Sequence, residues 1–183
     1  LLIVVVCLYF GFKKKHKIFY KQSEFPELQI IKQNWKVIRD EVPQFNLTNV
    51  NQTLARDVGD WDTQDNKELL NKMNQKAEWI PGWNKNWYHF PIIYLGKPIN
   101  NIERILPNTY KILQKIPSIH VAGFSILMPG SDLRWHADET GLNTNSLAVN
   151  FGLDCENSTL YVKDQNDMIN STKQKTGDII IFD

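Results

Sequence analysis

Cysteine is scarce in this chain: two occur in 183 residues, Cys7 and Cys155, and they lie far apart. That spacing excludes a disulfide framework and leans towards a reducing compartment. Charge of one sign is also lacking. Twenty-one Lys and Arg against twenty Asp and Glu leave a formal net charge of +1, which gives no reason to expect a nucleic-acid partner. There is no phosphate-binding glycine loop, cysteine pair or nucleophile elbow, so the chemistries that rest on those motifs are set aside. The uncharged apolar run LLIVVVCLYFGF, residues 1–12, is too short to span a bilayer, which needs roughly twenty residues.

What is present is enough apolar sequence, 42% of residues, to bury one core, so one domain is expected. The run at 1–12 ends against Lys13, Lys14, Lys15 and Lys17. Because the chain opens at Leu1 without an initiator methionine, this run reads as the end of a transmembrane helix. A signal-peptide apolar region would carry its lysines before it. A buried core strand is the other reading, and the abrupt lysine run argues against it. Basic flanks prefer the cytoplasmic side, so a single-pass membrane protein with a cytoplasmic domain is expected. Sequons at Asn46, Asn51, Asn157 and Asn170 would count the other way in a secretory setting. The domain division is therefore 1–12 membrane helix, 13–24 basic linker, and 25–183 globular domain.

Within the domain, Leu28, Ile31, Trp35 and Ile38 recur at helical spacing behind Pro26, predicting a helix over 25–42. Residues 46–65 are polar and turn-rich, 66–75 read as a short helix, and 79–83 as a turn before a strand at 87–94. Pro107 begins another helix, which ends at Pro117. From His120 onward the pattern changes to short strands at 121–128, 147–153, 159–163 and 178–182, separated by Gly, Pro, Asn and Asp. Helices first and strands after predict an α+β fold, with a jelly-roll sheet core and the N-terminal helices packed on the sheet.

The most informative stretch is FSILMPGSDLRWHADETG, residues 124–141. An apolar strand runs into a Pro129-Gly130 turn, and an extended segment then delivers His136 and, two residues on, Asp138. Residues i and i+2 of an extended chain point to one side, so imidazole and carboxylate can converge on one ion. Two histidines and a carboxylate with open positions are the ligand set of non-haem Fe(II) oxygenases. Taken alone, a histidine near a carboxylate is more often a hydrogen-bonded pair. Trp35, Trp61, Trp79 and Trp83 are likewise read as packing residues, and Ser125 as one polar position on an alternating strand.

Five blocks change that balance. FPELQIIKQNWKVIRDEV, WNKNWYHFPIIYLGK, FSILMPGSDLRWHAD, LAVNFGL and GDIIIFD together resemble, in order, the aspartyl/asparaginyl β-hydroxylase family of Fe(II)/2-oxoglutarate oxygenases. The resemblance implies a double-stranded β-helix with Fe(II) and 2-oxoglutarate as cofactor and cosubstrate. His136 and Asp138 become catalytic metal ligands, and Trp87, Ser125 and Asn150 the cosubstrate contacts. Two positions depart from the pattern: the family's Arg and His in Leu-Arg-x-His are Ala148 and Asn150 here. The family's second iron-binding histidine and a following basic residue match no position up to Asp183, so the chain reads as a fragment lacking both termini and inactive as it stands. His16 lies in the basic linker, and His89 and His120 fall on strands elsewhere.

The expected function is thus a dioxygenase that hydroxylates an Asp or Asn side chain of a protein or peptide. The alternatives are a lipid acyl-chain hydroxylase of the same family and a non-catalytic, membrane-tethered binding module.

Overall fold

The computed structural model describes residues 2–9, 17–50, 75–82, 86–136, 146–156 and 158–183. They form short helices and antiparallel sheet, with strand the larger share. The expected helix at 25–42 is broken into pieces. A 3-10 turn, Pro26–Leu28, leads into α1, Gln29–Gln33, and α2, Trp35–Asp40. The break is at Asn34, whose side-chain amide donates to the carbonyl of Ile30 at 2.8 Å, sharing it with the Asn34 backbone N–H at 3.2 Å, the kind of back-bonding that bends a helix. The apolar stripe survives the break, since Leu28, Ile31 and Ile38 are all fully buried. Trp35 packs at the core margin beneath the Arg39 guanidinium, 5.1 Å from the ring centre.

Two further helices, α3 (Ile102–Ile105) and α4 (Pro107–Leu113), supply Ile102, Leu106, Ile112 and Leu113 to the same core. Pro107 opens α4, where its missing N–H leaves no bond unmade. The carboxylate of Glu41, just past α2, accepts from the N–H of Asn108 at 2.9 Å and of Thr109 at 2.6 Å, and from the Asn108 amide at 2.7 Å. A residue from one helix therefore caps another 67 positions away.

The sheet is built from β1 (Leu2–Tyr9), β2 (Phe19–Tyr20), β3 (Ile80–Pro81), β4 (Trp87–Tyr94), β5 (Lys97–Pro98), β6 (Ile119–Leu127), β7 (Ser146–Asp154) and β10 (Ile179–Phe182). Its order is β2-β10-β7-β1-β6-β4-β3, with β5 on β4. A separate hairpin pairs β8 (Ser158–Lys163) with β9 (Ile169–Gln174).

Strand pairing places the two faces in rows. Phe90, Phe124, Val4 and Phe151 lie abreast across β4, β6, β1 and β7. Ala122, Val6, Val149 and Ile181 form the next row on that face. These side chains join the helix residues in one buried cluster. Alternation sends the intervening residues to the opposite face, where His89, Ser125, Ile3 and Gly152 lie abreast, followed by Pro91, Gly123, Val5, Asn150 and Ile180.

This arrangement corrects the membrane reading. Among the described residues no helix is long and apolar enough to cross a membrane. The segment taken for the end of a transmembrane helix is β1, hydrogen-bonded to β6 on one side and β7 on the other. Ile3-Val4-Val5-Val6 is a β-branched run, stiff at χ1 and suited to the pleated surface. Its apolar residues Ile3 and Val5 fall on the face opposite the helices, so the strand shows no polar alternation and looked like a membrane segment. The single-pass anchor and the membrane location that rested on it are set aside.

Candidate active site

Two of the predicted cosubstrate contacts meet. The indole N–H of Trp87, on β4, donates to the hydroxyl of Ser125, on β6, at 2.5 Å. Trp87 is not opposite Ser125 in the ladder; its direct partner is Leu127, and the partner of Ser125 is His89. The indole therefore reaches diagonally, within the span that long aromatic side chains cover between neighbouring strands. Room for it comes from Gly82, whose N–H donates to the Trp87 carbonyl at 2.8 Å. A Cβ on Gly82 would lie 1.9 Å from a Trp87 ring carbon, so a side chain there forces the indole to move.

Ser125 is buried, while Trp87 and His89 on the neighbouring strand β4 are half-buried. The rings of Trp87 and His89 lie 5.6 Å apart at 34°. Nδ1 of His89 is shut off from solvent, and burial pushes its pKa down to about 4, so the imidazole is neutral near pH 7. The sequence had set His89 aside as a strand residue away from the site. Its i, i+2 relation to Trp87 was visible there, but its adjacency to Ser125 needs the β4–β6 register, which no local pattern supplies.

Asn150 shares the face of Ser125 without touching its row. It pairs with Val5, and Ser125 pairs with Ile3, so one strand and a two-residue step separate them. By strand geometry this is about 10 Å across the sheet and about 7 Å along it. Ala148 follows on the same face, opposite Cys7 and Phe182.

β6 also delivers the metal candidate. It ends in a turn in which the N–H of Ser131 donates to the Met128 carbonyl at 3.2 Å, with Gly130 at φ 74°. Pro then Gly at the two central positions is what a type II turn requires. The chain continues without regular secondary structure to His136, which is exposed. Nδ1 of His136 lies 2.8 Å from the Arg134 carbonyl. A carbonyl at that distance accepts from Nδ1–H, and in a neutral ring that leaves the lone pair on Nε2, one of the two nitrogens through which histidines bind metals. Trp135, next to it, is 54% exposed and lies under the Lys163 ammonium, 4.9 Å from the ring centre, tying this segment to β8. Asp138 falls outside the described residues. Among those described, no three His, Cys, Asp or Glu side chains converge as a metal site.

The other tryptophans divide as the pattern predicted where they can be followed. Trp35 packs at the core. Trp79 donates to the Pro43 carbonyl at 3.0 Å and meets Phe45 and Phe90 edge-on. Trp61 and Trp83 fall outside the described residues.

Residues 32–183 match the family model described as aspartyl/asparaginyl beta-hydroxylase. The chain belongs to that family. The match takes in α2, the strands β3 to β10 and the Trp87–Ser125 contact between them, and it begins after β1. An uncharacterized protein of Acanthamoeba polyphaga mimivirus is 26% identical over 181 residues, covering 93% of this chain and 64% of that protein. The chain thus spans less than two thirds of the length of this relative.

Proposed function

We propose that the protein is an Fe(II)/2-oxoglutarate-dependent hydroxylase of an Asp or Asn side chain in a protein or peptide, its strands being those of a jelly-roll core. The observation that carries this reading is that β6 bears Ser125, bonded to Trp87, and also feeds the turn that delivers His136. One strand therefore links the cosubstrate contacts to the metal ligand. His136 and Asp138 would hold Fe(II) together with a further histidine. When bound, the iron would activate O₂, with 2-oxoglutarate giving up two electrons as it is decarboxylated to succinate and carbon dioxide, so that one oxygen atom can enter an unactivated C–H bond.

The chain's own part is to bind and orient. The Ser125 oxygen accepts the indole proton, so its own O–H is available to donate into the pocket, towards a carboxylate. Trp87 walls the pocket, and Asn150 offers an amide from across β1. Ile3 and Val5 make the floor between them apolar, which keeps water from competing for the same donors.

The acyl-chain alternative loses its support with the membrane helix. The binding-module alternative draws on Ala148, which offers no cation where the family pattern has arginine. Succinate formation from 2-oxoglutarate, Fe(II) and O₂ by the complete gene product separates the two. The enzyme reading expects turnover in the wild type and none in His136→Ala; no turnover in either favours the module.

A further inference from the structure

A ligand with two carboxylates needs donors or positive charge, and among the described residues the strand rows around Ser125 offer little of either. In the two rows that contain Ser125 and Asn150, the other residues of β1, β6, β7 and β10 are Ile3, Gly152, Gly123, Val5 and Ile180. None carries a charge. The titratable group in these rows is His89, the in-register neighbour of Ser125 and a ring-contact neighbour of Trp87.

We propose that His89 is a binding residue of the Trp87–Ser125 pocket, its imidazole hydrogen-bonding a carboxylate oxygen of the 2-oxoacid seated there and supplying the positive charge that Ala148 and Asn150 do not. The proposal rests on the hydroxylase reading above. Its geometry is independent of that reading: His89 is opposite Ser125 on the ladder, is half-buried with one nitrogen sealed, and lies tilted against the indole that bonds the serine. A ligand accepting from the Ser125 hydroxyl must pass within reach of this ring, because directly opposite residues of neighbouring strands have Cβ atoms about 5 Å apart.

The charge follows from the environment. On β3 the in-register neighbour of His89 is Ile80, on β6 it is Ser125, and along β4 the same-face neighbour is Trp87. None of these is charged, and burial alone depresses the ring's pKa to about 4. An anion brought against the ring favours the protonated form and raises that pKa, so binding takes up a proton. Affinity then strengthens as pH falls through the window between the raised pKa of the complex and the value near 4 of the empty pocket. The limiting slope is tenfold per pH unit.

The test uses the complete gene product loaded with Mn(II), titrated calorimetrically with 2-oxoglutarate between pH 5 and 8, beside His89→Gln and His89→Phe. The imidazole resonances of the wild type, loaded for this purpose with diamagnetic Zn(II), are followed in the same range with and without ligand. The expected result is affinity that rises towards low pH in the wild type and a His89 resonance whose pKa moves up when ligand is added. His89→Gln, which keeps a donor, should lose less than His89→Phe, which should weaken about tenfold, and both should lose the pH slope. An unmoved His89 pKa, or wild-type affinity and slope in His89→Phe, overturns the role of His89 and leaves the hydroxylase reading standing. Absence of any 2-oxoglutarate binding by the wild type overturns both.

Discussion

Trp87 and Ser125, 38 residues apart, are joined by an N–H···O bond of 2.5 Å that spans β4 and β6. Each is in place because of something else: Trp87 because Gly82 has no side chain, Ser125 because β6 is paired on both edges. The bond predicts coupling. Trp87→Phe and Ser125→Ala should each destabilise, and the double mutant should fall short of their sum by about 1 kcal/mol, the usual worth of one such bond. Urea denaturation of the four proteins measures it; strict additivity would mean that the bond contributes nothing. Gly82→Ala should displace the indole and shift the tryptophan fluorescence even where the fold persists.

β1 supplies the second prediction. Val4 and Val6 are 1% exposed, inside the cluster that the helices close. Val6→Asp places an uncompensated charge there and should cost on the order of 3–5 kcal/mol. In hydrogen exchange, the amides of Val4 to Val6 should be among the slowest in the chain, since the strand is bonded on both sides. Fast exchange at these amides would contradict a central strand.

Glu41 gives a pH dependence. Burial alone would raise its pKa, but the N–H groups of Thr109 and Asn108 outweigh that and hold it below the ordinary 4.5. A depressed carboxyl stabilises fully above its ordinary value, and that stabilisation is lost as pH falls through the folded-state pKa. Glu41→Gln should remove this acid-side slope. Glu41→Ala should cost about 1 kcal/mol at pH 7, as the loss of a helix cap does. Thermal unfolding between pH 3 and 7 reads both; parallel curves for wild type and Glu41→Gln would contradict the cap.

Cys155 is a buried thiol, and burial pushes its pKa up to about 11. Its Sγ lies 3.4 Å from the Leu2 carbonyl, so the thiol donates to β1. The neutral form is favoured in the fold, so stability should decline as pH rises from the ordinary thiol value of 9.0 towards 11. In the native protein at pH 8 it should react with a disulfide reagent far more slowly than after denaturation. Rapid native labelling would show that the β1 end of the sheet opens.

Local chemistry was legible in the sequence wherever one period or one turn decides the structure. The stripe of Leu28, Ile31 and Ile38, the strand at Trp87, and the Pro129-Gly130 turn feeding His136 belong to that class. What the sequence hid depends on partners far away. An apolar run of β-branched residues suits a buried strand as well as it suits a membrane segment, and only the pairing of β1 with β6 and β7 decides between them. The same holds for His89, whose place beside Ser125 is set by strand register. The hairpin strand β9 was missed because Asn170 to Lys173 carries no apolar alternation; its pairing with β8 comes from the turn at Asp164 to Asp167. The helix break at Asn34 came from one side chain competing for a backbone carbonyl.

The central claim is that His136 holds Fe(II) beside a bound 2-oxoacid. The most direct test is the visible charge-transfer band that forms when Fe(II) and a chelating 2-oxoacid share a site, recorded anaerobically on the complete gene product. The account predicts a band that needs both Fe(II) and 2-oxoglutarate and is lost in His136→Ala while the far-ultraviolet circular dichroism is unchanged. A band of undiminished strength in folded His136→Ala, or no band in the wild type, would contradict it.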